Sequence, residues 1–410
     1  MNAEIIAVGT EILLGDIVNT NAQFIAKQLA NLGISVFFQT VVGDNEARLL
    51  SAYKLAFERA DLVVATGGLG PTKDDLTKET AAKFFGKPLV RHTQTLHDIQ
   101  AYFSTQKLEI TENNKKQSDI IEGATVLTNE NGTAPGILLE QDGKILIMLP
   151  GPPREMHPMF ENHVLPFLKT KTNQVFISKT LRLCGIGESR AEDILKPILE
   201  KQSNPTIAPY AKTCEVHFRV TARAGDEATA RRLIKPVSDQ IYSLLGEYIY
   251  GEDETTLEAA VVGMLQKRGM TIACAESCTG GMLTARLVNC PGASSVLREG
   301  IIAYSNASKI SRLGVKSDTL AQYGAVSSQT AAEMALGAAK TAGADVGVGI
   351  TGIAGPDGGT DEKPVGLVYV AVSILGRVST VALHIVGDRE RVRTRSVVEA
   401  LNLIRCSIHP

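Results

Sequence analysis

The 410-residue sequence has no tryptophan, only six cysteines and seven histidines, and a formal net charge of only −2. A balanced charge without a basic, aromatic stripe offers no field for nucleic acid, so direct contact with DNA or RNA is not expected. The cysteines include no Cys-x-x-Cys pair and are too sparse for a disulfide scaffold, which indicates reduced core thiols. The histidines form no cluster with metal-ligand spacing, so they predict no metal site.

Long apolar runs are also absent from the sequence. No hydrophobic stretch approaches the roughly 20 residues of a membrane span, and the start at Met1–Glu4 has no basic region typical of a signal peptide. We therefore expect no membrane partner and a cytoplasmic location. A chain of 410 residues is long enough for about three domains of about 150 residues each.

The hydrophobic pattern divides the chain into three parts and predicts an α/β protein. From 1 to 170, short apolar strands alternate with helical stretches, which is typical of a parallel α/β sheet. Residues 171–251 predict a small α+β unit, whose helix Ser189–Lys196 is stopped or kinked by Pro197. After the acidic segment Gly251–Glu254, α/β alternation resumes over 252–410. The predicted elements closest to the candidate sites are strands Leu62–Ala65, Ile145–Leu149, Thr271–Ala275, Gly300–Tyr304 and Val346–Ile350, and helices Gly281–Val288 and Arg389–Ile404.

The most informative segment is Ala275-Glu276-Ser277-Cys278-Thr279-Gly280-Gly281, which lies between a predicted strand and a predicted helix. Such a turn exposes the Ser277 hydroxyl and points free N–H groups of Gly280 and Gly281 at a bound group, which suits an oxyanion or a phosphate. Nucleophile and anion stabiliser could then come from one loop. The alternative is that Ser277 or Thr279 only caps the helix, while the glycines allow close strand–helix packing.

Two other strand-end loops in the third part carry groups that could act with Ser277. The segment Tyr304–Lys309 brings a phenol, an amide and an ammonium group, and Thr351–Gly359 is a second glycine-rich turn that offers N–H groups to an anion. Lysine can serve as the base for serine when burial lowers its pKa, giving a Ser/Lys or Ser/Tyr/Lys arrangement for amide hydrolysis. The alternative for Lys309 is a solvated charge at a helix start.

Arginines are dense near the start of the last predicted helix. Most would ordinarily form a solvated face, but one of them could clamp a phosphate. The four are Arg389, Arg391, Arg393 and Arg395.

Three polar, glycine-bearing loops follow apolar strands in the first part of the chain. They are Thr66–Thr77, Gly9–Asp16 with Asn19 and Asn21 beyond it, and Leu149–Met156. Ligands bind at the C-terminal edge of a parallel sheet, so one shared site explains the three loops better than three independent helix caps.

Phosphate chemistry is what the residues of these loops favour. The glycines let the backbone approach a phosphate closely, and Asp74 and Asp75 could hold a divalent ion that bridges phosphate oxygens. Together they suggest pyrophosphate chemistry. The alternative makes Asp74 a helix N-cap and Asp75 a first-turn acid that complements the helix dipole.

Over essentially its whole length the sequence resembles the bacterial CinA (competence/damage-inducible) family. The three loops of the first part look like a molybdopterin-binding fold, an α/β sandwich of the MoaB/MogA type, and the middle part resembles the KH-like domain of the family. The motifs Ala-Glu-Ser-Cys-Thr-Gly-Gly, Tyr-Ser-Asn-x-x-Lys and Thr-Gly-Ile-Ala-Gly-Pro look like those of its C-terminal α/β amidohydrolase domain.

For the C-terminal domain, the resemblance implies deamidation of nicotinamide mononucleotide (NMN) to nicotinic acid mononucleotide, with no cofactor. Ser277 would be the nucleophile, Lys309 its base and Tyr304 a neighbour, with the choice between Lys309 and Tyr304 as base left open. The residues expected to contact the nucleotide are Thr279, Gly280, Gly281, Ser294, Asn306, Thr351, Gly352 and Arg391.

For the N-terminal domain, the resemblance implies metal-dependent cleavage of ADP-ribose at its diphosphate. The expected cofactor is a divalent ion, Mg, Mn or Co, with K as a possible addition. The residues expected at the metal are Glu11, Asp44, Asp74, Asp75 and Glu155. Those expected at the diphosphate are Asn19, Gly67, Gly68, Gly70, Thr72 and Arg154.

Two other interpretations compete with that of a bifunctional enzyme. The first domain could bind a pterin or nucleotide without hydrolysing it, because binding and cleaving a phosphate need the same N–H groups and acids. A role in DNA uptake or recombination is suggested only by the family name. The resemblance also predicts a homodimer formed through the α/β domains.

Overall fold

The computed structural model describes residues 1–172, 174–212 and 214–408. The chain forms two compact units, one of residues 1–177 with 222–232 and one of residues 178–221 with 233–410. Within the described residues, no helix is both long and apolar enough to cross a membrane.

The first unit is built on a mixed six-stranded sheet in the order β2-β1-β3-β8-β7-β6, with a separate two-stranded ladder of β4 and β5. The strands are β1 (Asn2–Val8), β2 (Ser35–Val42), β3 (Leu62–Thr66), β4 (Leu89–Arg91), β5 (Asp119–Ile121), β6 (Thr125–Leu127), β7 (Gly136–Gln141) and β8 (Lys144–Leu149). The helices are α1 (Thr10–Leu14), α2 (Thr20–Asn31), α3 (Glu46–Arg59), α4 (Thr77–Phe84), α5 (Thr93–Thr105), α6 (Glu112–Lys116), α7 (Pro153–Met159) and α8 (Leu165–Lys171), with a π-helical turn at Phe160–Val164.

The sheet of this unit, expected to be parallel, is mixed. Strands β1, β2, β3 and β8 run parallel, but β7 pairs antiparallel with both β8 and β6. The reversal occurs at Asp142-Gly143, where both residues have positive φ, 50° and 75°. Asp-Gly is the usual signal for a two-residue hairpin turn, so the sequence does carry the information.

The middle of the chain forms a four-stranded sheet in the order β10-β11-β9-β12. Its elements are β9 (Val175–Cys184), α9 (Glu188–Leu199), β10 (Thr206–Lys212), β11 (Glu215–Ala224), α10 (Glu227–Leu245) and β12 (Ile249–Glu252). The α+β character is confirmed, whereas α9 does not stop at Pro197 but continues through it to Leu199.

The C-terminal part has a five-stranded sheet in the order β14-β13-β15-β16-β17, in which β13, β14 and β15 are parallel and β16 and β17 are antiparallel to their neighbours. The strands are β13 (Ile272–Glu276), β14 (Leu297–Ile302), β15 (Val346–Gly352), β16 (Leu367–Ile374) and β17 (Arg377–His384). The helices are α11 (Leu257–Arg268), α12 (Met282–Val288), α13 (Asn306–Leu313), α14 (Ser317–Tyr323), α15 (Ser328–Ala342) and α16 (Arg389–Ile408), with a 3₁₀ turn at Ala293–Ser295.

Strand β13 lies inside this sheet, between β14 and β15, and is buried on both faces. Ile272 and Cys274 pack into the larger core, with residues from α11, α12 and α16. Ala273 and Ala275 pack on the opposite face against residues of α13 and α15. A strand buried on both faces reads as a continuous apolar run, which explains why this element could be predicted.

Candidate functional sites

Ser277 is the first residue after β13, and it lies in the turn that leads to α12. Its backbone N–H donates to Ile350 O of the neighbouring strand at 3.0 Å, which ties the turn to the sheet. The serine is only 8% exposed. The expected exposure of its side chain is therefore wrong, since the turn holds the hydroxyl in a largely buried position.

Lys309 reaches the Ser277 hydroxyl from α13. Helix α13 begins directly after Ser305, whose Oγ caps it by accepting from Ser308 N at 3.1 Å. Lys309 lies one turn into the helix, is 1% exposed, and places Nζ 3.0 Å from Ser277 Oγ. Burial lowers the pKa of Lys309 from its usual 10.5, and the nearby Cys278 opposes this shift. The solvated-charge alternative for Lys309 is therefore excluded.

Two backbone carbonyls fix the orientation of the Lys309 amine. Nζ donates to Ala303 O at 2.8 Å and to Tyr304 O at 3.2 Å. A neutral amine has two N–H groups and one lone pair, and carbonyl oxygens can only accept. With both hydrogens on the carbonyls, the lone pair faces Ser277 and can take the proton of its hydroxyl. The protonated amine would keep the same three partners, with its third hydrogen on Ser277 Oγ.

Tyr304 contributes its carbonyl rather than its phenol to this arrangement. The residue is 67% exposed. Among the hydrogen bonds of the described residues, none joins its phenol to Ser277 or Lys309. The geometry therefore favours Lys309 over Tyr304 as the partner of Ser277.

A buried carboxylate that the sequence reasoning missed organises the start of α12. Glu276 Oε2 accepts from Gly281 N at 3.0 Å and Leu283 N at 3.1 Å, and its Oε1 accepts from Thr284 N at 2.9 Å. Helix α12 has no side-chain N-cap from Ser277 or Thr279, so the capping alternative for those two residues is wrong. In the sequence, the sign of this role was a single acidic residue, Glu276, at the end of an apolar strand.

The expectation that Gly280 and Gly281 present free N–H groups is also wrong. Glu276 occupies the Gly281 N–H, and Gly280 N donates to Ser277 O at 3.1 Å. In the described part of the chain, no oxygen accepts from the N–H of Cys278 or Thr279. These two N–H groups follow Ser277 directly and, unlike those of Gly280 and Gly281, have no backbone or side-chain oxygen as acceptor, although both residues are buried. Gly281, with a φ of +96°, gives the backbone its turn into the helix.

Thr279 and Arg393 form the wall beside Ser277. Thr279 is fully buried, and its Oγ1 has no hydrogen-bond partner among the described residues. Its carbonyl accepts from Arg393 Nη2 at 2.9 Å. Arg389 Nη1 donates to Gly355 O at 2.7 Å, which ties the glycine-rich loop after β15 to the same helix. Arg393 and Arg389, four residues apart on α16, are therefore the arginines that reach the loops.

Arg391 is the third residue of α16, and its contact with the nucleotide stays a prediction. Its side chain is exposed, and its backbone N–H donates to Asp388 Oδ1 at 2.8 Å. Thr351 is buried at the end of β15, where its hydroxyl donates to Ala325 O at 2.7 Å, and Gly352 is the last residue of that strand. Asn306 is the first residue of α13 and is exposed.

Among the residues predicted to contact the nucleotide, Ser294 is separated from Ser277 by the length of a strand. It precedes β14, whose first residue Leu297 pairs with Ile272, the first residue of β13, in a parallel register. Ser277 follows the other end of β13, and five strand residues span about 17 Å. Within one chain Ser294 therefore lies at the opposite edge of the sheet, and a ligand contact shared with Ser277 is not supported.

In the first unit, the three predicted loops line a single cavity of about 780 Å³. The cavity lies at the C-terminal ends of the parallel strands β1, β3 and β8. All the residues predicted here for metal or diphosphate line it. They are Glu11, Asn19, Asp44, Gly67, Gly68, Gly70, Thr72, Asp74, Asp75, Arg154 and Glu155.

The glycine loop after β3 has the geometry of an anion-binding turn. Gly67 has a φ of +99°, and a Cβ there would lie 2.1 Å from Val8 O, so only glycine fits. No partner in the described residues accepts from the N–H groups of Gly68, Leu69 or Gly70. Three free donors in one turn form a concave site for phosphate oxygens. Asn19, by contrast, serves as the N-cap of α2, because its Oδ1 accepts from Ala22 N at 3.1 Å.

The acidic residues of this loop do not cap a helix, as their alternative explanation would require. Helix α4 begins at Thr77 after Leu76, without a side-chain cap. Asp75 instead closes the loop, since its Oδ2 accepts from Thr72 N at 2.9 Å and from Thr72 Oγ1 at 2.6 Å. Asp74 is exposed at the cavity wall.

The five carboxylates have the right chemistry for a hard divalent ion but are not gathered into a ready-made cage. Within residues 1–172, 174–212 and 214–408, no group of three or more His, Cys, Asp or Glu side chains could hold a metal by itself. Asp44 Oδ2 also accepts from Thr10 N, at 2.9 Å. Magnesium usually takes one or two carboxylates and completes its shell with water and substrate phosphates, so the donor set still fits.

Three protein-family models match consecutive segments of the chain. The probable molybdopterin binding domain matches residues 4–170, the damage-inducible protein CinA KH domain matches 178–251, and the CinA C-terminal domain matches 254–408. The fold is thus α/β, with a MoaB-like N-terminal domain, a KH-like middle domain and a CinA C-terminal domain, as the sequence predicted.

Two relatives match over nearly the full length of the chain, and a solved structure matches part of it. A protein of Clostridium novyi described as competence-damage inducible is 56% identical over 99% of this chain and 98% of its own length. A solved structure of CinA, with unknown function, from Thermoplasma acidophilum is 39% identical over 39% of this chain and 94% of that chain, with a TM-score of 0.37. A CinA-like protein of Kosmotoga olearia is 56% identical over 100% of both chains, and the present chain therefore belongs to the CinA family.

Proposed function

We propose that the C-terminal domain is a serine amidohydrolase that converts NMN to nicotinic acid mononucleotide and ammonia. The observation that carries the proposal is the 3.0 Å contact between the buried Lys309 Nζ and Ser277 Oγ. The class of reaction comes from this pair and from the unpaired N–H groups of the two residues that follow Ser277. The identity of the amide comes from the resemblance of the three loop motifs to NMN deamidase.

In the proposed reaction Lys309 takes the proton of Ser277, and the alkoxide attacks the carboxamide carbon. The N–H groups of Cys278 and Thr279 donate to the oxyanion that forms. Lys309 then returns the proton to the amide nitrogen, the C–N bond breaks, and ammonia leaves an ester on Ser277. Water, deprotonated by the same amine, hydrolyses the ester and restores the serine. The thiol of Cys278 takes no part, because burial raises its pKa to about 11.

The test is ammonia release from NMN by the full chain, with and without a metal chelator. We expect release that is unchanged by chelation, because every group in the proposed steps belongs to the protein. A coupled enzymatic assay for ammonia measures the rate, and chromatography identifies the nucleotide acid. If folded wild-type protein releases no ammonia from NMN, the proposed substrate is wrong.

For the N-terminal domain we propose metal-dependent hydrolysis of ADP-ribose to AMP and ribose 5-phosphate. The free N–H groups of Gly68, Leu69 and Gly70 would hold the diphosphate, and Asp74 and Asp75 would hold the ion. The ion, when bound, would polarise the diphosphate and supply a hydroxide. Asp75 also holds Thr72, so it orders the loop that faces the substrate.

Asp75→Asn is expected to lower the rate of ADP-ribose cleavage by about 100-fold or more, because it removes a charge from the proposed metal site. Formation of AMP at saturating Mg²⁺ or Mn²⁺ measures the effect. Asp61→Asn is a suitable control, because Asp61 precedes β3 at the other edge of the sheet. A wild-type rate in Asp75→Asn would contradict the assigned role.

A binding module without catalysis is the alternative for the same cavity, since it needs the same donors and acids. Metal-dependent turnover of ADP-ribose separates the two functions. Tight binding of ADP-ribose with no AMP formed under any divalent ion would favour the module.

A further inference from the structure

A second cavity, of about 330 Å³, adjoins the one that contains the glycine loop of the N-terminal domain. Tyr102, Gly132 and Thr133 line both cavities, so the two meet at these residues. None of the residues predicted for the metal or the diphosphate lines the second cavity, which we call the side cavity. A ligand whose phosphates lie at the glycine loop can therefore continue past Tyr102 into a space that has no assigned role.

One wall of the side cavity is a single face of helix α5. Four residues of the helix line it, Thr95, Asp98, Ile99 and Tyr102, at the spacing i, i+3, i+4 and i+7 that places side chains on one face. Ile99 is buried, and Tyr102 is half-buried where the two cavities meet. An aromatic side chain with accessible surface at this point offers a flat apolar contact to a ligand that occupies both cavities.

The opposite wall is the end of strand β6 and the loop that follows it. The residues of this wall are Val126, Thr128, Asn129, Glu130, Gly132, Thr133 and Pro135. Asn129 Nδ2 donates to Ala134 O at 2.8 Å and to Glu155 Oε2 at 2.8 Å, which ties the loop to itself and to α7. Thr128 Oγ1 is hydrogen-bonded to His163 Nε2 at 3.0 Å. The loop is thus held from two sides, and the side cavity is formed before any ligand binds.

The charge of the side cavity differs from that of a phosphate site. Among the described residues that line it, the only charged side chains are Asp98 and Glu130, and both are exposed. Asp98 Oδ1 accepts from Gln94 Nε2 at 2.8 Å, which leaves Oδ2 for another donor. Carboxylates repel a phosphate and accept hydrogen bonds from a group that donates them. The side cavity therefore suits a flat, neutral group that carries a hydrogen-bond donor.

The adenine base is the part of ADP-ribose that has these properties, because it is aromatic and neutral and its amino group donates hydrogen bonds. We propose that the side cavity is the base-binding subsite of the N-terminal domain, where adenine packs on Tyr102 and its amino group faces Asp98 and Glu130. The free N–H groups of Gly68 and Gly70 in the adjoining cavity hold the diphosphate. This inference rests on the proposed function of the domain and extends it to the choice of base.

The experiment measures binding, without turnover, by calorimetry of the full chain in a metal chelator. The probes are ADP-ribose, inosine diphosphate ribose, in which an oxo group replaces the amino group, and inorganic pyrophosphate, which has no base. We expect wild type to bind ADP-ribose about 10-fold more tightly than the inosine analogue, because the oxo group cannot donate to a carboxylate.

The variants test the aromatic contact. Tyr102→Leu should lower the affinity for ADP-ribose by about 10-fold or more, because it removes the ring on which the base packs, and should leave the affinity for pyrophosphate unchanged. Tyr102→Phe keeps the ring and should bind ADP-ribose as wild type does. The matched control is Tyr323→Leu, an exposed tyrosine on α14 of the C-terminal domain, which should change nothing.

Three outcomes would count against the inference alone. They are normal binding of ADP-ribose by Tyr102→Leu, an equal loss of ADP-ribose and pyrophosphate affinity in that variant, and equal affinity of wild type for ADP-ribose and its inosine analogue. The second would mean that the variant only disturbs the glycine loop, and the third that the amino group does not meet the carboxylates. No binding of ADP-ribose to folded wild-type protein would count against the proposed function as well.

Discussion

Ser277→Ala is expected to abolish ammonia release from NMN, with a loss on the order of 10⁴-fold or more, while the protein stays folded. The methyl group keeps the volume of the side chain nearly unchanged, and the turn is held by backbone bonds from Ser277 N to Ile350 O and from Gly280 N to Ser277 O. Substrate binding should survive, because the nucleophile contributes little to affinity. The initial rate of ammonia release, together with the melting temperature, measures both parts of this expectation.

The matched control is Ser328→Ala, a partly exposed serine at the start of α15. It should keep the wild-type rate. Turnover by Ser277→Ala within tenfold of wild type would remove the serine from the mechanism. Equal NMN binding by wild type and Ser277→Ala, with turnover only in the former, would separate a chemical role from a binding role.

The sequence predicted the strands that lead into both sites, because these strands lie inside their sheets, with a neighbouring strand on each side. Strands β3 and β13 are buried throughout, so they appear as continuous apolar runs that end at a glycine-bearing loop. The edge strand β17 was missed, because six of its eight residues are exposed and only half of the eight are apolar. Its turn at Leu375-Gly376 has positive φ at both residues, for which leucine gives no signal.

Contacts within the sites were harder to predict than the elements that carry them. The pair Ser277 and Lys309 was proposed from residue chemistry, but its geometry depends on α13, a helix of eight residues that the pattern did not reveal. Glu276 was overlooked because a carboxylate in an apolar strand has no motif of its own. Its occupation of the Gly281 N–H moves the free donors to Cys278 and Thr279. Local spacing shows which groups are near a loop, whereas donor occupancy depends on the folded backbone.

Lys309→Met is expected to lower deamidation by about 10³-fold or more, because no other base lies within hydrogen-bond distance of Ser277 Oγ in the described residues. Lys309→Arg should fail equally, since guanidinium stays protonated and has no lone pair for the serine proton. This distinguishes a base from a fixed positive charge, which arginine would preserve. Lys267→Arg, at the exposed end of α11, is the control and should keep the wild-type rate.

The pH profile of the wild-type enzyme tests the same role without any mutation. The neutral form of Lys309 is the active one, and burial lowers its pKa below 10.5. The value of kcat/KM for NMN should therefore increase as the pH rises through this lowered pKa and reach a plateau before pH 10.5. Below the pKa of Lys309 the amine is protonated and cannot accept the serine proton, so kcat/KM should be low there. The residual activity of Lys309→Met should lack this increase of kcat/KM with pH, which is the acidic limb of the profile. A residual activity that keeps the wild-type profile would assign the titrating group to another residue, whereas loss of the limb with retained NMN binding identifies Lys309 as the base.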